Sequence, residues 1–196
     1  MSFIDIHCHI LPGIDDGPGD IKESEEMGKV AVEDGVSHIF ATPHIMDGVF
    51  NNTGSNIIDS VDNLRRRLPD SINILHGADV RISLDLIERI ESGEIPTLGN
   101  SGYLLVEFPE YVIPPNVDIL FFNLRHRGVI PIITHPERHL RLMYDLKTIN
   151  KLKDAGTMFQ ITAMSITGDF GREIQIASLT MIKKGLADFV ASDAHD

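Results

Sequence analysis

The sequence predicts an α/β protein built from parallel βαβ units, and three observations carry that prediction. Short apolar runs rich in β-branched residues alternate with stretches of helical spacing. The 196 residues are about one domain's length and contain no low-complexity segment, short-period repeat or Gly/Ser linker, so 1–196 reads as a single domain. A His, Asp or Glu ends or follows six of seven apolar runs, the arrangement expected when a (β/α) barrel collects ligands at the C-terminal ends of its strands.

The strand candidates are Phe3–Cys8, Ser37–Thr42, Ile72–His76, Tyr103–Phe108, Val129–Thr134, Met158–Thr162 and Asp188–Ala191. Among the helical stretches between them, Ile57, Val61, Leu64 and Leu68 recur at steps of 4, 3 and 4. Val117, Leu120, Phe121 and Leu124 make a second such stripe, and Leu146, Ile149 and Leu152 a third. An open doubly wound sheet fits the same alternation, but no glycine-rich phosphate loop follows the first run, which favours the barrel. The last run lies at the end of the chain, so the expected count of seven strands and six helices is one helix short.

Composition narrows the function classes. Apolar residues make up 42% and charged residues 23%, and a chain of this length buries roughly 70% of its extended surface without a disulfide or structural metal. A single cysteine excludes a disulfide framework and a Cys-rich zinc fold and fits a reducing compartment. No apolar run approaches 18 residues and the first residues lack a basic segment, so no membrane insertion or signal peptide is expected and the chain reads as cytoplasmic. The formal net charge of −12 argues against nucleic-acid binding, yet leaves room for a phosphorylated substrate where bound cations reverse the charge locally.

The chemistry-bearing residues sit at strand ends. His7 and His9 are two apart on a strand, so both imidazoles face the same side. Asp15 and Asp16 follow in a turn, where aspartate also serves ordinary turn chemistry. His44 closes the second run, Asp79 follows the third, Glu107 ends the fourth, and His135 follows the fifth. Asp193 and His195 follow the seventh and mirror the opening His-x-His; in a closed barrel, first and last strands are neighbours. Nine candidate ligands (His7, His9, Asp16, His44, Asp79, Glu107, His135, Asp193, His195) exceed the four of one tetrahedral ion, so two or three divalent ions are implied. Imidazole and carboxylate without thiolate suit Zn²⁺, Fe²⁺ or Mn²⁺. Three such ions would add six charges against four local acids, and an anionic substrate is then expected.

Other candidates receive plainer readings. His38, His76 and His126 are read as non-ligands, His139 as a surface residue with substrate contact as the alternative, and Arg65, Arg66 and Arg67 as a solvated helix end. Cys8 should face away from His7 and His9 and no Cys-x5-Arg follows it, so a thiol nucleophile is excluded; no G-x-S-x-G elbow exists, so a serine hydrolase is unsupported.

Asp5-Ile6-His7-Cys8-His9-Ile10-Leu11-Pro12 through Asp15-Asp16-Gly17, Ala41-Thr42-Pro43-His44, Glu107-Phe108-Pro109, His135-Pro136-Glu137-Arg138 and Ala191-Ser192-Asp193-Ala194-His195 together resemble the polymerase-and-histidinol-phosphatase (PHP) superfamily. Within it, the chain is most similar to the manganese-dependent bacterial tyrosine-protein phosphatases of capsule and exopolysaccharide operons. The resemblance implies a distorted, TIM-like (β/α)7 barrel holding a three-metal cluster of Mn²⁺, with Fe²⁺, Zn²⁺ or Mg²⁺ as substitutes. It assigns His7, His9 and Asp193 to one ion, Asp79 as a bridge to a second completed by Glu107 and His135, and Asp16, His44 and His195 to a third. Arg138 matches the phosphate-binding arginine, and the implied substrate is phosphotyrosine on an autophosphorylating tyrosine kinase.

Two departures stand out. The bridging position, normally glutamate, is Asp79, shorter by one methylene or about 1.5 Å. The family also continues past the position of Asp196 with a second arginine and a closing helix, so the barrel is expected to lack its C-terminal helix.

The implied reaction is attack on phosphorus by a hydroxide bridging two cations about 3.5–4 Å apart, with a third ion and Arg138 offsetting charge. Phenolate, with a pKa of about 10, leaves without a strong acid, although Asp193 or a metal-bound water is a candidate proton donor. Phe50 is a candidate to flank the tyrosyl ring. Two other readings remain: another PHP phosphoesterase such as a histidinol-phosphate phosphatase, or a catalytically weak metal-binding or kinase-docking protein.

Overall fold

Each of the seven apolar runs forms a strand in the computed structural model, which describes residues 2–46 and 48–196. In chain order the elements are β1 (Phe3–Cys8), α1 (Ile21–Glu33), β2 (Val36–Ala41), β3 (His44–Ile45), α2 (Gly54–Arg65), β4 (Asn73–His76), β5 (Asp79–Arg81) and α3 (Leu86–Glu91). They continue with β6 (Tyr103–Glu107), α4 (Val117–His126), β7 (Ile130–Thr134), α5 (Leu146–Asp154), β8 (Met158–Thr162), α6 (Ala163–Thr167), α7 (Arg172–Lys183) and β9 (Phe189–Ala191). The described residues divide into two compact units, one running up to Ser101 and including Ser192–Asp196, the other Gly102–Ala191.

In the first unit β1, β2 and β4 form a parallel sheet with β2 in the middle, and Ala41 pairs with both Cys8 and His76. Asp20 starts α1 by accepting hydrogen bonds from the N–H groups of Lys22 and Glu23, and Thr53 starts α2 through a capping box with Asn56. The α2 stripe points inward as its spacing predicts: Ile57, Val61 and Leu64 are buried, although the helix stops at Arg65, short of Leu68. Arg65 is not simply solvated, because its Nε donates to the Ile74 carbonyl at 2.6 Å and ties α2 to β4.

Two strands lie outside the seven runs. β3 and β5 are only two and three residues long, and they pair in parallel with His44 opposite Asp79.

In the second unit β6, β7, β8 and β9 form a parallel sheet in that order. Leu104, Leu105, Val106, Ile132, Ile133, Phe159 and Ile161 are buried, as are Phe121 and Leu124 of α4 and Ile149 and Leu152 of α5. Near-continuous apolar strands of this kind are the signature of a parallel sheet covered on both faces. The architecture is therefore mixed α/β with parallel strands, and among the described residues no sheet is seen to close on itself. No described helix is long and apolar enough to cross a membrane.

Candidate metal centre

The first unit brings β1 and residues 192–196 together. Residues 192–196 run beside β1: the Asp193 N–H donates to the His7 carbonyl at 2.8 Å, and the His9 N–H to the Ala194 carbonyl at 2.9 Å. This short parallel ladder puts His7 and His9 next to Asp193 and His195. The Nε2 atoms of His7 and His9 are 3.1 Å apart, and Asp193 Oδ1 lies 3.2 Å from the first and 3.5 Å from the second. Asp193 occupies the left-handed region at φ 55°, an uncommon conformation for a residue with a side chain and one that clusters at functional sites.

β3 and β5 deliver the next two groups. Asp79, fully buried, places Oδ2 at 3.7 Å from His7 Nε2 and 3.6 Å from His44 Nδ1. The shorter side chain at this position therefore still reaches two imidazoles, because its register opposite His44 and a bond from its N–H to the Pro43 carbonyl bring its backbone close. Asp16 Oδ1 lies 3.8 Å from His9 Nδ1, 3.7 Å from His44 Nε2 and 3.4 Å from His195 Nε2, and the His9 and His195 rings stack at 4.0 Å. Seven of the nine candidate ligands thus gather in this unit, and the ligating atoms of His9, Asp16, His44 and His195 all lie within 4.8 Å of one another.

The second unit pairs the other two. Glu107 ends β6 and His135 follows the adjacent β7, leaving Glu107 Oε1 and His135 Nε2 3.9 Å apart. His135 also has a positive φ, 34°. The Arg138 N–H closes a turn onto the His135 carbonyl at 2.9 Å, and the Arg138 guanidinium lies 4.7 Å from the centroid of the Phe170 ring.

Several supporting groups were not assigned this role from sequence. Asp15 is more than a turn residue: its buried Oδ2 lies 2.8 Å from His9 Nδ1 and accepts from the His44 N–H at 3.2 Å, while Oδ1 takes the Gly17 N–H at 3.1 Å. Such a carboxylate fixes the tautomer and orientation of a metal-binding imidazole. Asp5 Oδ1 accepts from the N–H groups of Ser192 and His7 at 3.1 and 3.3 Å, which anchors the segment carrying Asp193, and burial raises its carboxyl pKa. Glu137 is fully buried; its Oε1 accepts from the Thr162 N–H at 3.0 Å and the Ser165 hydroxyl at 2.6 Å, holding the loop after β7. Burial pushes its pKa up.

The surface reading of His139 does not hold. His139 is buried, and its Nδ1 accepts from the N–H groups of Arg141 and Leu142 at 3.2 and 3.1 Å, so it closes a local turn. His38, His76 and His126 lie outside the cluster, against Ser37, Asn100 and Phe122 respectively. The buried Cys8 thiol is pushed well above its ordinary range by burial, as expected of a non-nucleophilic side chain. Phe50 stacks on His44, ring centroids 5.7 Å apart.

The electrostatics suit cations. Burial disfavours a charge on His9, but its bonds to Asp15 and Asp193 outweigh that and raise it to about 10. His44 is lowered to about 4, first by burial and then by the charge on His9, and its buried Nδ1 has no hydrogen-bond partner. A neutral imidazole with an idle nitrogen beside carboxylates is a ready ligand. Donors held about 2.1 Å from one ion are separated from each other by about 3.0–3.5 Å, the spacing found here among His7, His9 and Asp193.

Gly17 shows how tightly this is built. A Cβ there would stand 2.1 Å from the His9 carbonyl oxygen, a backbone atom that cannot yield alone. Gly17→Ala is expected to part the Asp15–Asp16 turn from His9 and to cut bound metal at least about tenfold, measured by elemental analysis after dialysis; unchanged metal content would contradict this.

A parallel α/β fold with imidazoles and carboxylates converging at strand ends is the kind of site that could hold divalent ions. The Capsular polysaccharide synthesis, CpsB/CapC family matches residues 3–196, and the chain belongs to it. It is 37% identical over 196 residues to the tyrosine-protein phosphatase YwqE of Bacillus subtilis (strain 168), covering 98% of this chain and 77% of that one. To the tyrosine-protein phosphatase CpsB of Streptococcus pneumoniae it is 30% identical over 201 residues, covering 98% and 83%. Among solved structures, a chain from the crystal structures of YwqE from Bacillus subtilis and CpsB from Streptococcus pneumoniae, metal-dependent tyrosine phosphatases, superposes with a TM-score of 0.95. It shares 37% identity over 99% of this chain and 80% of that one.

Proposed function

We propose that this chain is a metal-dependent protein-tyrosine phosphatase that removes phosphate from tyrosine on a bacterial kinase controlling capsular and extracellular polysaccharide synthesis. The observation that carries the reading is the meeting of His7, His9, Asp79 and Asp193 in one buried cluster, in a chain whose relatives bear that name. His7, His9 and Asp193 would hold one divalent ion, Mn²⁺ in this reading, and Asp16, His44 and His195 another; Asp79, Glu107 and His135 would supply further ligands. Bound divalent ions supply a nucleophile from water at neutral pH and neutralise charge on the phosphoryl group. Asp15 holds His9 in the orientation that keeps Nε2 available. Arg138 offers its planar fork to two phosphate oxygens, a match lysine lacks. Phenolate, with a pKa of about 10, asks little of a general acid, and Asp193 is the candidate donor. The fold reading that accompanies this is a distorted (β/α)7 barrel acting as one cytoplasmic domain.

The experiment compares a phosphotyrosine peptide, p-nitrophenyl phosphate and histidinol phosphate, each with Mn²⁺ and with EDTA. Turnover of the two aryl phosphates with Mn²⁺ alone supports the reading. Preference for histidinol phosphate moves the chain to another PHP activity, and equal rates with EDTA remove the metal from the mechanism.

A further inference from the structure

We propose that Phe170 is a specificity-determining residue: one region of its ring props the Arg138 guanidinium and its open side receives the aromatic ring of the substrate. This deepens the tyrosine-phosphatase reading and rests on it for the role of Arg138. Phe170 is 37% exposed, a large apolar ring at the surface in a segment built to present it. Gly168 and Gly171, at φ 97° and 96°, bend the chain on either side, a conformation that residues with a Cβ rarely adopt. The turn is tied down: the Gly168 N–H donates to the Met164 carbonyl at 3.1 Å, the Gly171 N–H to the Gly168 carbonyl at 2.9 Å, and Gln175 Nε2 to the Ile166 carbonyl at 3.0 Å. The Thr167 hydroxyl donates to the Asp169 carboxylate within the same turn.

The guanidinium carbon of Arg138 lies 4.7 Å from the ring centroid, inside the range of a cation–π contact. The backbone turn from His135 to Arg138 ties this arginine to a candidate ligand. In an aryl phosphate only one oxygen separates phosphorus from the ring. An anion gripped by Arg138 therefore carries its aryl group into the space around Phe170, where offset or edge-on ring contact is favourable. An alkyl phosphate gains nothing from that contact.

Two measurements on the Mn²⁺-loaded chain test the proposal. Phe170→Ala is expected to raise KM for a phosphotyrosine peptide about two- to tenfold with kcat within about twofold, and Phe170→Tyr to restore it. The chain has no tryptophan, so Phe170→Trp installs a single fluorescent reporter. Its emission should change on titration with phenylphosphonate at concentrations where methylphosphonate has no effect. An unchanged KM in Phe170→Ala, a loss confined to kcat, or an equal response of the reporter to both phosphonates would overturn the proposal. A wild-type chain without phosphotyrosine turnover sinks the phosphatase reading instead, while the phosphonate titration still decides for or against ring contact.

Discussion

Asp193→Ala is expected to lower turnover of a phosphotyrosine peptide by about a hundred- to a thousandfold, the scale seen when one group that stabilises the reacting charge is removed. The carboxylate Oδ1 stands 3.2 and 3.5 Å from two imidazole nitrogens that are themselves 3.1 Å apart. Without it, the His7 and His9 imidazoles face each other with one negative charge fewer to hold a cation between them. The fold should survive, because the side chain fills no apolar core and the ladder bonds from the Asp193 and His9 N–H groups are backbone bonds. Alanine at φ 55° costs about 1–2 kcal/mol, which at this chain length lowers Tm by only a few degrees. Kinetics, metal content and a melting curve on the same preparation separate the outcomes. His135→Ala should behave in the same direction, since it removes the imidazole paired with Glu107. Wild-type turnover in either variant takes that residue out of the site.

The parallel α/β organisation was legible because buried strands in such sheets are continuous apolar runs, and Leu104-Leu105-Val106 and Ile132-Ile133, too short for a helix and preceded by Gly102 and Gly128, read as strands. β3 and β5 were not legible. Two- and three-residue strands have no periodicity to detect, and they form because the pairing of His44 with Asp79 is completed by tertiary context. α1 left a weak stripe, burying only Ser24, Met27 and Gly28 on a helix otherwise rich in charge. Closure into a barrel depends on how strands from distant parts of the chain meet, which the alternation of elements does not specify.

That the candidate residues would cluster was legible for a different reason: histidines and acids placed at the ends of apolar strands are costly there unless they do something. Their supports were harder to see. Asp15 sits in a turn that explains an aspartate by itself, and its bond to His9 depends on a contact that sequence spacing does not encode. Asp5 had one usable signal, a carboxylate two residues before His7 on the same strand face, which places it to reach the Ser192 segment. His139 was misread because histidine next to arginine resembles surface, whereas its Nδ1 accepts two backbone N–H groups that the turn leaves without partners.

Chelation with EDTA is expected to abolish activity, and the pH dependence of reloading should reveal which imidazole the cation displaces a proton from. In the metal-free protein His9 is raised to about 10, so at pH 7 it carries a proton between Asp15 and Asp193. A cation ligated by His9 must expel that proton, so apparent affinity should climb about tenfold per pH unit as pH rises from about 6.5 to 8.5. Folding stability runs the other way. A histidine raised above its unfolded value of about 6.5 contributes stability that is present in full below that pH and is lost as pH rises through about 10. Across pH 6.5–8.5 the Tm of the metal-free protein should therefore fall through this group, while the Tm gain on adding Mn²⁺ grows. Asp15→Asn should flatten both trends, because it replaces the anion that holds the proton on His9 with a neutral amide. A metal affinity independent of pH in the wild-type chain would mean that His9 is not the ligand whose proton is displaced.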